Sequence, residues 1–355
     1  MGIKNLRKFL KKSAPAGVSN INLFTKYAGS ALCIDVNSYL YKMAYNKESK
    51  GRNYYLKGFT QIISDFLSHD ILPIFIFDGC PPTAKDNTLG LRQQAKEKKI
   101  DNISTNHKKI CDLLDLSITT SNEEIEKAVS TALDTDRLSA EDIKLLSQFN
   151  QEINKNKKNI ISVTKDMYAN LEKLFNLWGV PWMRAKGEAD FLCARLVIDK
   201  VAAATISEDM DIIAHGASKL LTGFMSINYN RTNEVEQFDL SIILSELHLT
   251  YEQFIDFCIL SGCDYCDTLY DIGPMKGYQL ILQYVDLEHF PATLGNTEKI
   301  IAARAEFYKS SLEDYDLSKL KLKPVKEVEL TEFLLENTSY RATTLNKKIS
   351  SIKTA

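Results

Sequence analysis

Acidic residues follow three apolar stretches of this sequence at the point where each stretch ends. Asp35 follows LCI, Asp78 follows PIFIF, and Asp209 with Asp211 follows AAATISE. In an open parallel sheet, ligands bind outside the carboxyl ends of the strands, where these carboxylates would converge. Clustered carboxylates repel one another unless positive charge lies among them, and Mg²⁺ prefers oxygen ligands. The pattern therefore indicates a metal site.

Three further carboxylates extend this set. Glu188 and Asp190 begin the predicted helix in KGEADFLCARL, and Asp264 follows a predicted helix over Tyr251–Gly262. Six or seven carboxylates exceed what one Mg²⁺ needs, which favours two metals. Each element alone has a plainer interpretation: a lone DxD is a solvated turn or part of a metal-dependent glycosyltransferase, and the acids of KGEADF are helix-start charges. Glu208 is interpreted as a solvated neighbour of the metal pair.

The elements that would position these residues alternate between strand and helix. Continuous apolar runs predict four buried strands: Ala31–Ile34, Ile71–Phe77, Val201–Ile206 and Leu220–Met225. The stretches between them predict helices, among them Gly58–His69, Thr164–Leu177 and Ala189–Ile198. This alternation predicts an α/β fold with a central, mostly parallel sheet and helices on both faces.

The stretch from Leu91 to Asn159 breaks the alternation. It is polar and charged, and its Ser121-x-x-Glu124 and Ser139-x-x-Asp142 patterns are typical of helix starts. Since it adds no predicted strand, we interpret it as a helical insertion. Residues 240–282 are predicted to be helical around a Gly/Pro loop, and the tail beyond residue 298 is lysine-rich.

Length and composition fit an ordinary globular protein of 355 residues, with 45% hydrophobic and 25% charged residues. The net charge of −2 means that nucleic-acid binding would depend on local basic patches. Seven scattered cysteines favour a reducing, intracellular setting. Cys263 and Cys266 form a CxxC pattern, and the sequence has no second CxxC or HxxxH to accompany it. Because a structural zinc ion is bound by four ligands, the pattern does not favour a zinc site. The sequence contains neither a signal-peptide pattern nor a long apolar run, so no membrane segment is predicted.

Together the motifs resemble the flap endonuclease/XPG family of structure-specific 5′ nucleases. The matching blocks are MGIKNLRKFL, CIDVNSYLYKM, PIFIFDGCPPTAK, GEADFLCARLV, AAATISEDMDII and CILSGCDYCDTLYDIGPMKG. The resemblance implies a PIN-like nuclease fold with a helical arch and a helix–two-turn–helix DNA-binding module. It divides the chain into the first nuclease part (1–90), the arch (91–159), the second nuclease part (160–239), the duplex-binding region (240–298) and the tail (299–355).

The resemblance implies that all seven carboxylates hold two Mg²⁺ ions, for which Mn²⁺ can substitute. They are Asp35, Asp78, Glu188, Asp190, Asp209, Asp211 and Asp264. The family often carries Glu where this chain has Asp190. Lys85 and Arg92 match the basic residues at the base of the arch that engage the scissile phosphate. Their offsets from Asp78 would place both on nearly one helix face. Two ordinary surface cations are the alternative.

The resemblance also implies contacts with DNA. Gly2 would lie close to the active site, and Tyr41 would stack on the base beside the scissile bond. Gly273 and Lys276 belong to the DIGPMKG loop, which would approach the duplex backbone and bind K⁺, although the family commonly has glycine where Asp271 stands. A core tyrosine and a plain turn between helices are the alternatives.

The predicted function is a structure-specific 5′ flap endonuclease with 5′→3′ exonuclease activity, in DNA replication, repair or recombination. A related 5′→3′ exonuclease or junction-cutting nuclease is the alternative, and a DNA-structure-binding protein without catalysis is disfavoured by seven intact carboxylates. The expected partner is DNA with 5′ flaps, nicks or gaps, bound by a monomer without a sliding-clamp motif. The expected location is the nucleus, or a cytoplasmic replication site if the source is a DNA virus. Five arch lysines could line a single-strand path or be solvated helix charges: Lys96, Lys98, Lys99, Lys108 and Lys109.

Overall fold

The structure, a computed structural model, describes most of the chain. The described residues are 2–45, 53–80, 85–117, 120–133, 138–159, 163–226, 229–266, 272–285, 289, 297–309 and 313–352. They form two compact units: Met1–Lys85 together with Val163–Ala355, and Asp86–Ser162. Within the described ranges, no helix combines the length and apolar character that crossing a membrane requires.

The first unit is built on a seven-stranded sheet. Its strands are β1 (Val18–Asn22), β2 (Ala31–Asp35), β3 (Leu72–Phe77), β4 (Trp182–Arg184), β5 (Ala204–Ile206), β6 (Lys219–Thr222) and β7 (Glu234–Asp239). They lie in the order β1-β7-β6-β5-β2-β3-β4. The strands from β6 to β4 are parallel, and only β7 runs antiparallel to its two neighbours. The predicted central, mostly parallel sheet is confirmed.

Successive residues of the central strands enter two different cores. In β2, Leu32 and Ile34 pack in one core and Cys33 in the other. In β3, Phe75 and Phe77 point to one face, while Ile74 and Ile76 point to the opposite face. Because side chains alternate along a strand, a run that is apolar at every position must be covered on both sides.

Helices of the first unit supply that cover. In chain order the helices of both units are α1 (Leu6–Ser13), α2 (Leu23–Tyr27), α3 (Val36–Tyr45), α4 (Tyr54–Ser68), α5 (Asp86–Leu113), α6 (Asn122–Leu133), α7 (Ala140–Asn159), α8 (Lys165–Trp178), α9 (Ala189–Ile198), α10 (Asp211–Ala214), α11 (Tyr229–Thr232), α12 (Leu240–Leu247), α13 (Tyr251–Ser261), α14 (Pro274–Tyr284), α15 (Thr297–Phe307), α16 (Glu327–Asn337) and α17 (Ala342–Ser350). One core contains buried residues of α1, α9, α12 and α13, and the other contains those of α3, α4, α8 and α16.

The second unit is a separate helical body made of α5, α6 and α7. Its core includes Ile110, Ile125, Val129 and Leu146. The helix start predicted at Ser121 is confirmed, because Glu124 Oε2 accepts from the Ser121 backbone N–H and the Glu124 N–H donates to Ser121 Oγ. At the next helix, the Asp142 N–H donates to Ser139 Oγ over 3.1 Å. These caps satisfy N–H groups that the first helical turn leaves without partners.

Three strands were not predicted. β1 lies at one edge of the sheet with β7 beside it, and the polar residues of both strands interrupt the apolar pattern, while β4 has only three residues. Two predicted strands were also too long: β5 begins at Ala204 rather than Val201, and β6 ends at Thr222 rather than Met225. Apolar turns at strand ends resemble strand in sequence, because burial rather than backbone conformation sets the pattern.

Candidate active site

Four acidic residues lie at the carboxyl ends of β2, β3 and β5. Asp35 is the last residue of β2, Asp78 follows β3, and Asp209 and Asp211 follow β5 on the way into α10. β2 pairs in parallel with β3 on one side and with β5 on the other. The sheet therefore brings these acids together at one edge, as expected from the sequence.

Asp35 is buried and held by hydrogen bonds from the loop after β5 and from the first turn of α3. Its Oδ2 accepts from Ser207 Oγ over 2.8 Å, and its Oδ1 accepts from the Ser38 N–H over 3.1 Å. Burial, followed by the charge of Asp78, raises the pKa of Asp35 to about 7. Ionising this carboxyl therefore costs free energy unless a cation is close by.

Asp78 is bonded to the start of α9. Its Oδ1 accepts from the Ala189 N–H over 2.8 Å, and its Oδ2 accepts from Asn37 Nδ2. Burial raises the pKa of Asp78 although these hydrogen bonds and Lys85 act in the opposite direction. Asp78, which follows β3, thus accepts a hydrogen bond from a backbone N–H in the first turn of α9, where the N–H groups have no partner within their own helix.

Glu188 and Asp190 stand at the start of α9. Glu188 occupies the N-cap position without a side-chain bond to its own helix, and instead accepts from Tyr265 Oη over 3.3 Å. Burial raises the pKa of both carboxyls, and at Asp190 the charges of Asp209 and Asp35 add to the effect. Like charges at close range favour the protonated form.

Lys85 brings positive charge to this acidic cluster. Its Nζ lies 2.9 Å from Glu188 Oε1, 3.7 Å from Asp264 Oδ2 and 5.0 Å from the centre of the Tyr265 ring. Burial, the largest single effect, would lower the pKa of Lys85, but the charge and hydrogen bond of Glu188 together with the charges of Asp211 and Asp190 outweigh it, and the pKa is raised. The ammonium therefore stays charged although its side chain is only 8% exposed.

The amino-terminal segment closes the cluster from another side. The Ile3 N–H donates to Asp211 Oδ1 over 2.7 Å. Gly2 has φ +79°, and a Cβ at this position would lie 2.2 Å from Asp209 Oδ1 and 2.3 Å from Asp211 Oδ1. Both the backbone conformation and the lack of space thus require glycine.

The cluster fits hard divalent cations by its donor chemistry. All seven side chains offer carboxylate oxygens, the ligand type that Mg²⁺ prefers. Asp211 Oδ2 is buried and makes no hydrogen bond within the described structure. Among the described residues, no group of three or more acidic, His or Cys side chains already surrounds a metal position. Lys85 and the amide of Asn37 occupy some of the oxygens instead.

Glu208 was wrongly interpreted as a solvated neighbour. Its Oε1 lies 2.6 Å from Lys42 Nζ and accepts from the Gly223 N–H over 3.2 Å, and its Oε2 lies 3.6 Å from Arg7 Nη1. Lys42 also donates to the Phe224 carbonyl over 2.7 Å. Glu208 therefore ties the loop that carries Asp209 to α1, α3 and the end of β6.

Other predicted residues are distributed more widely. Tyr41 lies on α3 with 40% of its surface exposed. Gly273 precedes α14 with open space around its α-carbon, and Lys276 lies exposed on the first turn of that helix. Asp271 lies outside the described residues. Arg92 lies on α5 of the second unit, and this helix begins at Asp86, so no single helix runs on from Asp78.

Several residues that organise the site were missed from the sequence. Ser207, Asn37 and Tyr265 donate to Asp35, Asp78 and Glu188, respectively. Ser207 and Asn37 are small polar residues within two positions of a strand-end carboxylate, and this spacing is the signal that could have found them. His215, whose Nε2 lies 3.2 Å from Tyr265 Oη, directly follows α10, and its sequence surroundings gave no such signal.

A cavity of about 500 Å³ lies elsewhere, along β4. Trp182, Arg184 and Lys323 contribute to its lining, and none of the seven carboxylates does. The acidic cluster, rather than this cavity, holds the groups that could perform chemistry.

The sheet order and the acidic cluster at its carboxyl edge place this protein in the PIN-like α/β class. Two family models match the chain: the XPG N-terminal domain over residues 1–99 and the XPG I-region over residues 179–264. Together they cover just over half of its length. The chain belongs to the XPG family.

Curated relatives and solved structures are similar over nearly the whole chain. Flap endonuclease 1 of Theileria parva is 30% identical over 99% of this chain and 65% of its own length. The corresponding Theileria annulata protein is covered to 64%, so the chain spans about two thirds of these relatives. These relatives give no support to the viral source considered above.

Two solved structures show the same fold. The catalytic core of Rad2 in complex with DNA substrate has a TM-score of 0.65 at 17% identity, with both chains covered completely. Flap endonuclease-1 from Methanococcus jannaschii has a TM-score of 0.63 at 18% identity, covering 99% of this chain and 98% of that one.

Proposed function

We propose that this protein is a structure-specific 5′ flap endonuclease with 5′→3′ exonuclease activity. One observation carries the proposal: the sheet edge gathers buried carboxylates around the single strand β2 and its neighbours, and Lys85 lies within 3.7 Å of two of them. Such a cluster is unfavourable in a folded protein without a bound cation, since burial and repulsion raise several of its pKa values. The relatives named flap endonuclease 1 support the reaction class.

The reaction is hydrolysis of a DNA phosphodiester bond. The seven carboxylates would hold two divalent ions, Mg²⁺ or Mn²⁺, which when bound activate water and stabilise the leaving oxygen. Lys85 offers its ammonium to the phosphate, where it offsets the charge that develops during cleavage. The Ile3 N–H orients Asp211, and the Glu208 ion pairs fix the loop of Asp209.

Other residues would handle the DNA. Tyr41, exposed on α3, stacks on the base beside the scissile bond. Gly273 and Lys276, at the start of α14, contact the duplex backbone, with K⁺ bound at the loop before them. Arg92 and the lysines of α5 belong to the helical unit that we interpret as the arch for the free 5′ strand. We further propose that the protein cleaves DNA as a monomer and that it acts in the nucleus.

The test is a panel of end-labelled DNAs that share one duplex sequence. With Mg²⁺ we expect cutting of 5′ flaps near the junction, slower removal of nucleotides at a nick, and no cutting of 3′ flaps. Asp209→Ala should remove all of these activities while the circular dichroism spectrum stays unchanged. Equal cutting of 3′ and 5′ flaps would overturn the proposal.

The same panel separates the alternatives. An exonuclease without flap cutting would release nucleotides from nicks and gaps only. A junction-cutting relative would prefer a four-way junction, the substrate named for human GEN1, which shares the fold at a TM-score of 0.62 and 15% identity. If the protein binds these DNAs but cleaves none of them, the alternative of a DNA-structure-binding protein without catalysis would be supported.

A further inference from the structure

Two thiols flank the acidic site just beyond the end of α13. Cys263 and Cys266 enclose Asp264 and Tyr265 in the sequence CDYC. Their Sγ atoms lie 3.8 Å apart. Cys263 is buried, whereas Cys266 keeps part of its surface exposed. The pair is therefore close enough to react together and open to small molecules on one side.

The two residues between the thiols contact the centre of the site. Asp264 Oδ2 lies 3.7 Å from Lys85 Nζ, and the Tyr265 ring lies under the same ammonium at 5.0 Å. Tyr265 Oη also donates to Glu188 over 3.3 Å. A change in the backbone between the two cysteines would therefore move groups that hold both Lys85 and Glu188.

We propose that Cys263 and Cys266 form a reversible oxidation site that switches the nuclease off. The part of this proposal that concerns the loss of nuclease activity rests on the function proposed above. The oxidant is a small-molecule disulfide such as oxidised glutathione. The Cys266 sulfur attacks it, forming a mixed disulfide and releasing one reduced glutathione. The Cys263 sulfur then displaces the second glutathione, so that two thiols are oxidised and one disulfide is reduced.

Geometry gives the reason for inactivation. A disulfide requires about 2.05 Å between sulfurs, so the pair must close by nearly 2 Å from its present separation. Because only Asp264 and Tyr265 lie between the cysteines, we expect the closure to draw on the backbone of these residues as well as on rotation of the two cysteine side chains. A displacement of about 1 Å in a catalytic group can cost roughly 10²-fold in rate.

The other cysteines are placed differently. Cys33, Cys111, Cys193 and Cys258 are buried, and Cys80 is exposed. Cys80 can form a mixed disulfide with glutathione, so the experiment should use a Cys80→Ser background. Cys266→Ser in that background is the matched control, because it removes the accessible thiol and keeps a side chain of similar size.

The test equilibrates the protein in glutathione buffers from reducing to oxidising and follows three readouts. We expect mass spectrometry to find a disulfide joining Cys263 and Cys266, cleavage of 5′-flap DNA to fall by roughly 10²-fold, and the thermal stabilisation by Mg²⁺ to shrink. Dithiothreitol should restore all three. Cys266→Ser should be as active as its parent and indifferent to the buffer.

Two results would overturn the proposal: thiols that stay reduced across the whole series, or a mapped disulfide that leaves both cleavage and the Mg²⁺ effect unchanged. The disulfide is mapped without any substrate. Failure of the reduced protein to cut 5′ flaps would therefore contradict the proposed function separately, and the Mg²⁺ effect would still report on the switch.

Discussion

The Lys85 ammonium lies 2.9 Å from Glu188 Oε1, inside a cluster of carboxylates that the sheet edge assembles. Glu188 and Asp264 share this one buried cation, although we assign both to metal binding. Lys85 is therefore held by residues that we propose as metal ligands, and its position depends on theirs.

Lys85→Ala should slow single-turnover cleavage of 5′-flap DNA by roughly 10²-fold or more, since a charge aimed at the reacting phosphate acts mainly in the transition state. The affinity for DNA should change far less. Rapid-quench kinetics at saturating DNA measure the first quantity, and fluorescence anisotropy measures the second. Lys26→Ala, on the exposed face of α2, is the control. Rate and affinity losses of equal size would mark Lys85 as an ordinary backbone contact.

Asp211→Asn should abolish cleavage and weaken metal binding while the fold is retained. Asp211 is buried, and burial followed by the charge of Asp209 raises its pKa well above the usual range. Without Mg²⁺ the variant should therefore be at least as stable as the wild type. Added Mg²⁺ at 100 times its Kd would stabilise the wild type by ~2.7 kcal/mol per site, and the variant by less. Thermal unfolding with and without Mg²⁺ measures this.

The control for that variant is Asp70→Asn. Asp70 is exposed with φ +59°, a conformation that Asn also tolerates. It should show the full Mg²⁺ stabilisation. If Asp211→Asn shows the same stabilisation, Asp211 does not belong to the metal site.

Gly2→Ala should lower cleavage by roughly 10²-fold, because its methyl group would displace the carboxylates of Asp209 and Asp211. The helix α1 that follows would stay folded, so circular dichroism should not change. Gly90→Ala is the matched control, since a Cβ there meets no atom within 4 Å. Wild-type activity in Gly2→Ala would show that the amino-terminal segment does not border the reacting groups.

Glu236→Gln should loosen α1 from β7. Glu236 lies 2.7 Å from both Arg7 Nε and Lys11 Nζ. Burial raises the pKa of Glu236, but Lys11 and Arg7 outweigh it, and the net pKa is lowered. A carboxyl with a lowered folded pKa stabilises the protein above its unfolded pKa of about 4.3, and this contribution disappears as pH falls through the folded pKa.

Urea unfolding at several pH values checks this prediction. At pH 7 the variant should be less stable than the wild type by about 1 kcal/mol, given that both cations are largely exposed. The difference should shrink as pH falls below about 4.3 and vanish once pH lies below the lowered pKa of the folded state. A constant difference across the pH range would mean that packing, rather than the charge of Glu236, holds α1.

Replacing three lysines of α5 with glutamine should weaken flap binding, because each lysine is expected to neutralise a phosphate of the single strand. The residues are Lys96, Lys98 and Lys99. Each phosphate that is no longer neutralised should reduce the slope of log K against log salt by about 0.7. Cleavage of a long flap should suffer more than nucleotide removal at a nick. An unchanged slope would show that these lysines face solvent.

The central strands and the carboxylates at their ends could be predicted from the sequence because both depend on local patterns. A run that is apolar at every position marks a strand covered on both faces, and its last residue marks the edge of the sheet. The three-residue β4 and the polar β7 left no such pattern. Glu208 was misjudged because its partner Lys42 lies 166 positions away, a distance over which composition and spacing give no information.

Residue 2 meets the carboxylates of Asp209 and Asp211, and this contact bears on how the protein should be produced. The α-carbon of Gly2 has no room for even one added methyl group, and an affinity tag joined ahead of residue 2 would bring further atoms close to Asp209 and Asp211. Recombinant protein should therefore carry its tag after residue 355. A preparation with leftover tag residues at the front is expected to bind DNA and look inactive for reasons unrelated to its chemistry.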